Sequence, residues 1–220
     1  PDVDKIVFTG STATGQAIAR AATGNLKRVS LELGGKSPVI VCRDADLEKA
    51  VPVAAMAVFA NSGQICIAGS RLFVQRDIHD EFVGLVADYA RKLRIGAGVD
   101  PLTEIGPIIS ARQAQRVAGF LDAGKAEGAR LVAGGARLEG AEFAGGNFIA
   151  PTVFGDVADD MTIAREEIFG PVISALPFDT LDEVVARANA TPYGLAAGVF
   201  TTHLGTAHKL ARRLKAGSVW

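Results

Sequence analysis

Short β-branched apolar runs alternate with longer helical patterns along the whole chain, and this alternation limits the fold more than any other feature. Strands that each feed a helix pair most readily in parallel, because the helix supplies the crossover that a parallel return needs. The spacing predicts strands at residues 5–8, 28–33, 37–42, 71–75, 130–133, 172–178, 196–200 and 217–220, with an extended run at 148–153. Helices are predicted at residues 12–22, 47–59, 78–94, 111–127, 181–190 and 204–214, with Asp46 and Ser110 as caps. In the helix at 78–94, the stripe Ile78, Phe82, Leu85, Tyr89 and Leu93 reads as the core face. Pro52, a few residues into the helix at 47–59, marks a first turn or a kink. The fold class that follows is α/β, with a largely parallel sheet and flanking helices.

Several function classes are excluded by bulk properties. With 220 residues and 49% hydrophobic composition, the chain is long enough to bury a full-sized core. Its 23 basic and 24 acidic residues leave a net charge of −1. They are scattered singly, so neither nucleic acid nor an anionic membrane is expected as a partner. The longest uncharged apolar stretch, residues 50–64, contains Pro52, Asn61 and Gly63 and is too short to span a bilayer. Cys42 and Cys66 form no Cys-x-x-Cys unit, so a reducing, cytoplasmic location is expected. His79, His203 and His208 never fall at i, i+4 and stand among polar residues; they read as solvated surface histidines, and no metal site is predicted. Pro1 lies just ahead of a strand-like run and Trp220 falls inside an apolar one, so the chain reads as a fragment of a longer polypeptide.

Three segments could carry chemistry. Residues 8–15, Phe-Thr-Gly-Ser-Thr-Ala-Thr-Gly, make a strand end, a turn and a helix start, where backbone N–H groups form an anion site. The spacing is not Gly-x-Gly-x-x-Gly, and Gln16 stands where a mononucleotide loop needs its lysine, so an ordinary capped helix is the alternative. Gly34-Gly35-Lys36-Ser37 fails as such a loop too, because Ser30 replaces its first glycine. Cys66 follows Gly63, has the small Ala68 and Gly69 beside it, and has Asn61 and Gln64 available to fix the loop by hydrogen bonding. Such a thiol is either a buried structural residue or a nucleophile. Glu32, between Leu31 and Leu33, is either a carboxylate in apolar company suited to general-base work or a strand residue paired to a lysine such as Lys36. The glycine-rich stretch 134–146 reads as a solvent-exposed turn, since no helix opens directly after it.

Taken together, Leu-Glu-Leu-Gly-Gly-Lys-Ser-Pro at residues 31–38 and Gly-Gln-Ile-Cys-Ile-Ala at 63–68, with Cys66 lying 34 residues after Glu32, resemble the paired signatures of the aldehyde dehydrogenase superfamily. Residues 8–15 are similar to that family's pyrophosphate turn, and Glu-Glu-Ile-Phe-Gly-Pro-Val at 166–172 to its nicotinamide-ribose segment. Asn-Ala-Thr-Pro-Tyr-Gly-Leu at 189–195 is a further matching stretch, so the resemblance covers nearly the whole chain.

The resemblance implies a catalytic domain over residues 34–220, truncated at its C-terminal end, preceded at 1–33 by a βαβ remnant of a Rossmann-like cofactor domain. It implies that Cys66 attacks an aldehyde to give a thiohemiacetal, that hydride passes to NAD or NADP, and that water activated by Glu32 hydrolyses the thioester. A free thiol, pKa about 8.5, is mostly protonated at neutral pH, yet its thiolate is a strong nucleophile. The Cys66 backbone N–H is one oxyanion donor; the family's other, an asparagine from an earlier segment, is not in this chain. By the same resemblance, Gly10, Ser11 and Gly15 hold pyrophosphate, Leu33 borders the nicotinamide, Glu167 holds the ribose and Phe169 packs nearby. Glu166 reads as a solvated or structural carboxylate. The implied substrate is an apolar aliphatic or aromatic aldehyde, since Ile65 and Ile67 flank the thiol, and Glu32 argues against transfer to coenzyme A. The parent is expected to be a homo-dimer or homo-tetramer. Without the segments that grip the adenine ribose, this chain is expected to bind dinucleotide poorly and to be inactive as a dehydrogenase alone. Two other readings remain, a cofactor-independent cysteine esterase using Cys66 and Glu32, and a catalytically silent interaction module.

Overall fold

The computed structural model describes residues 2–220. The chain opens with β1 (Lys5–Thr9), α1 (Thr12–Ala22) and β2 (Arg28–Glu32), in which β1 and β2 form their own two-stranded parallel sheet, Lys5 opposite Arg28 and Thr9 opposite Glu32. Helix α1 starts where the Ser11 hydroxyl accepts a hydrogen bond from the Thr14 N–H at 3.3 Å. The remaining strands are β3 (Pro38–Val41), β4 (Arg71–Gln75), β5 (Arg130–Ala133), β6 (Thr152–Gly155), β7 (Val172–Phe178), β8 (Ala196–Phe200) and β9 (Ser218–Val219). They form one sheet in the order β5-β6-β7-β4-β3-β8-β9, parallel throughout except between β5 and β6. The α/β class and the largely parallel sheet are therefore as the sequence pattern predicts.

Helices α2 (Leu47–Phe59), α3 (His79–Lys92), α4 (Ala111–Ala126), the short α5 (Thr162–Arg165), α6 (Leu181–Asn189) and α7 (Leu204–Arg213) flank this sheet. Strand period decides which core each residue joins. Val39, Val41, Leu72 and Val74 point into one apolar cluster with α2 and α3, while Ile40 and Phe73 point into the other with residues of α4, α6 and α7. Both faces are covered, which is why β3 and β4 are buried along their whole length. Among the described residues, no helix is long and apolar enough to cross a membrane.

Four local expectations change. Of the predicted stripe on α3, Phe82 and Leu93 are buried and Ile78 and Tyr89 pack partly buried against the same cluster, but Leu85 is exposed; Val83, Val86, Ala87 and Ala90 complete the buried face, where the helix lies close against α2 and the sheet. His79 is buried rather than solvated, because it opens α3 with its ring turned inward. Pro52 lies inside α2 rather than in its first turn, and the helix continues past it. In the extended run at 148–153, Phe148 and Ile149 enter the core, but the strand begins only at Thr152, after Pro151, which has no N–H to donate to a ladder.

Candidate active site

A cleft of about 490 Å³ opens where the two-stranded sheet meets the larger sheet. Four chain segments and one helix wall it: Thr9 to Ser11 after β1, Glu32 to Gly34 after β2, Gln64 to Cys66 before β4, Glu167 and Phe169 before β7, and Gln113 with Arg116 on α4. Its size lies within the usual range for small-molecule sites. Of the residues singled out from sequence, Gly10, Ser11, Glu32, Leu33, Cys66, Glu167 and Phe169 all line this one cleft. Gly15 does not; it sits buried in α1, where a side chain would run into Leu33.

The loop carrying Cys66 owes its shape to backbone conformation. Asn61, Ser62 and Gly63 take consecutive left-handed conformations (φ 50°, 55° and 72°), a run that L-residues adopt only when the surroundings enforce it. The enforcement is visible: the Ser62 hydroxyl donates to the Gly106 carbonyl at 2.7 Å, and Asn61 Nδ2 donates to the Gln64 carbonyl at 3.1 Å. Gln64 Oε1 in turn accepts from the Ile109 N–H at 2.9 Å. Asn61 and Gln64 thus fix the loop as their residue types suggest. Cys66 emerges half-buried, and its N–H enters no backbone hydrogen bond among the described residues.

The matching motifs interlock. A Cβ on Gly63 would strike the Gly170 carbonyl, and one on Gly35 would strike the carbonyl of Cys66 itself. The Gly35 N–H donates to Glu167 Oε1 at 3.1 Å, so the segments at 31–38, 63–68 and 166–172 touch each other backbone to backbone or backbone to carboxylate. The 166–172 segment is clamped from α4. Gln113 Nε2 donates to the carbonyls of Ile168 and Phe169, both at 3.0 Å, and Arg116 donates to the Glu167 carbonyl at 2.9 Å. Held this way, Phe169 takes a left-handed φ of 57° and presents its partly exposed ring to the cleft. The sequence gives no motif for Gln113 and Arg116; their i, i+3 spacing on a helix is the one available signal.

Glu32 ends β2 beside the turn, its carbonyl accepting from the Gly10 N–H at 3.0 Å. Its carboxylate is exposed rather than enclosed by Leu31 and Leu33, since neighbours on a strand point to the opposite face. The proposed pairing with Lys36 is absent: Lys36 is 1% exposed and its Nζ has no hydrogen-bond partner. Glu166 is exposed, whereas Glu167 is half-buried and its carboxylate accepts from the Gly35 N–H. Beside the cleft, sharing Ile65 with it, runs an apolar groove of about 370 Å³ lined by Val53, Met56, Ile67, Phe200 and Trp220 among others.

Away from the cleft, ligand atoms of His79, Asp80 and Asp156 lie within 4.8 Å of one another. The cation in their midst is Arg130, which donates to Asp80 at 3.1 Å and to Asp156 at 2.5 Å.

Residues 1–220 match the model of the aldehyde dehydrogenase family. Among solved structures, the NAD+ complex of an aldehyde dehydrogenase from Bacillus cereus is 50% identical, with a TM-score of 0.95, over 100% of this chain. Indole-3-acetaldehyde dehydrogenase of P. syringae, in complex with NAD+ and IAA, is 48% identical with a TM-score of 0.96 over 100% of this chain. Betaine aldehyde dehydrogenase from Staphylococcus aureus, in complex with NAD+, is 41% identical with a TM-score of 0.96 over 99%. This chain spans 44%, 44% and 43% of those three chains respectively.

Proposed function

This chain belongs to the aldehyde dehydrogenase family, and on that premise we propose that it carries the nucleophile and base of an NAD-dependent oxidation of aldehydes to carboxylic acids. The observation that carries the reading is the convergence of Cys66, Glu32 and Glu167 on one cleft from three separate segments. The neighbours bound to NAD+ favour NAD over NADP.

The residues present fit such a cofactor. The turn at Gly10 and Ser11 brings the N-terminus of an eleven-residue helix to the cleft, a setting for phosphate oxygens. Glu167 and Leu33 line the same cleft, and they are the residues that would hold a ribose hydroxyl and border a nicotinamide ring. When bound, NAD supplies the acceptor for the hydride leaving the substrate carbon.

In this reading Cys66 Sγ, as thiolate, adds to the carbonyl carbon, and the oxygen that gains the charge faces the unengaged Cys66 N–H. Loss of hydride from that carbon leaves an acyl thioester on Cys66. Glu32, exposed to solvent at the cleft wall, takes a proton from the water that attacks the thioester, and the carboxylic acid and free thiol separate. The apolar groove beyond Ile65 suits an aliphatic or aromatic tail. A cytoplasmic homo-dimer or homo-tetramer is the assembly that goes with this reading.

The test is an aldehyde screen on the full-length protein containing this sequence, following NADH absorbance. Aldehyde-dependent NADH formation is expected. Replacing Glu32 with Gln should preserve a first burst of NADH while slowing steady turnover by about a hundredfold or more; unchanged turnover would remove Glu32 from the base role.

A further inference from the structure

Lys36 is among the largest side chains in the chain that are fully buried, and its Nζ reaches no acceptor. An ammonium in that state gives up its hydration and leaves its donors unmet, so it destabilises the fold. Its charged surroundings are lopsided. On one side stands Arg71 of β4, which is itself 4% exposed and spends its guanidinium on the carbonyls of Lys36, Arg187 and Ala188, with no carboxylate in reach of its hydrogen bonds. On the other stand Glu167 and Glu166, which attract Lys36, and Tyr193, whose phenol is pushed up by burial and then by the same two glutamates. Arg116 approaches Glu167 from the α4 side, through its backbone carbonyl only.

Burial, then Arg71, brings the Lys36 ammonium down from 10.5 to about 7, against the pull of the glutamates. Its charge therefore changes across neutral pH. The Glu167 carboxylate packs over the two residues that precede Lys36: a Cβ on Gly34 would strike it, and the Gly35 N–H is its one direct protein donor among the described residues. A charge in the low-dielectric interior acts on that carboxylate at longer range than a hydrogen bond does.

We propose that Lys36 is a positioning residue for cofactor binding: buried directly after Gly34 and Gly35, which touch the Glu167 carboxylate, it lends a charge that holds this carboxylate against the cleft wall, and the fold keeps this charge at the expense of stability. The proposal rests on the reading of Glu167 as a ribose ligand. It places no contact between Lys36 and the reacting atoms.

The experiment uses the full-length enzyme as wild type, Lys36→Met, Glu167→Gln and the double variant, with the NAD dissociation constant, KM, kcat and thermal midpoint measured for each. Lys36→Met is expected to raise the thermal midpoint and to weaken NAD binding about fivefold or more, with kcat within about twofold. Wild-type affinity for NAD should fall as pH rises through about 7, the value at which Lys36 discharges, and that dependence should vanish in Lys36→Met. In the Glu167→Gln background, Lys36→Met should add no further loss. Unchanged NAD affinity in Lys36→Met, an additive loss in the double variant, or a lower thermal midpoint with every parameter falling together overturns the proposal. So does failure of both Lys36→Met and Lys36→Gln to fold, because relief of a buried charge predicts the opposite. Glu167→Gln with unaltered NAD binding would strike the ribose reading itself, a result legible separately from the Lys36 variants.

Discussion

Cys42 directly follows β3 and Cys66 follows α2, so a single helical crossover separates them, yet their surroundings differ in everything that governs thiol chemistry. Cys42 is 3% exposed, its N–H donates to the Phe200 carbonyl at 3.0 Å, and it sits in the cluster built on Ile40 and Phe73. Burial first, then the nearby Asp44, pushes its thiol up to about 11, against a hydrogen bond from Thr201. Cys66 lies half-buried in a cleft, on the loop that leads from α2 into β4. The difference shows what a parallel sheet does to its neighbours: just past a strand's end, the adjacent strand still claims the N–H and the core claims the side chain. A loop bent through three left-handed residues leaves both available.

The contrast can be broken most directly at the thiols. In the full-length protein, Cys66→Ser should lower aldehyde oxidation by about a thousandfold or more, while Cys42→Ala should leave kcat/KM within about twofold. Equal losses at both positions in steady-state assays would erase the distinction. Next in size is the loop itself. Gly63→Ala puts a methyl group into the Gly170 carbonyl at a backbone φ of 72°, and a cost of about 1–3 kcal/mol is expected in the urea midpoint, with a matching fall in activity. A neutral result would mean that the loop is not pinned between the other two motif segments.

A chemical test sharpens the same contrast without mutation. Iodoacetamide near neutral pH should label Cys66 in the folded protein and Cys42 only after unfolding, read by peptide mass spectrometry. The smallest effect is expected at Asp44, next to the buried thiol. Burial raises its carboxyl, but bonds from Thr201 and Thr202 outweigh this and hold it below its ordinary 3.8. A carboxylate lowered on folding contributes stability that is present above 3.8 and lost as pH falls through the lower folded value. Asp44→Asn should therefore destabilise by less than about 1 kcal/mol at neutral pH, a small figure because the group is exposed, and the gap should close in strong acid. A gap that widens on acidification would contradict the sign.

Much of the architecture was legible because the deciding signals are local. Ser11 and Asp46 accept hydrogen bonds from the N–H groups three residues on, so helices beginning at Thr12 and Leu47 could be read from a cap followed by apolar periodicity. The face of α3 was legible only in part: Phe82 and Leu93 of the stripe are buried, but Leu85 is exposed, since periodicity marks a stripe but not how closely the neighbouring helix will come. His79 was missed for a related reason: its sequence neighbours Asp77 and Asp80 are polar, yet the ring turns inward at the helix start. In the cleft, Cys66, Glu32 and Glu167 were marked by the motifs around them, whereas Gln113 and Arg116 carry no motif and work only by reaching across to the 167–169 backbone.

By itself, then, the sequence determined the order of strands and helices, the parallel α/β class and the chemical types gathered in each motif, because all of these follow from periodicity, caps and residue chemistry within a few residues. The tertiary structure decided which segments meet. The hydrogen bond from Gly35 to Glu167 joins residues 132 apart in the chain, Gly63 and Gly170 are pressed together from distant loops, and Lys36 lost its water when β3 and β4 were covered. Such contacts arise only once both faces of the sheet are buried, and no local signal in the chain encodes the dielectric that a side chain will find there.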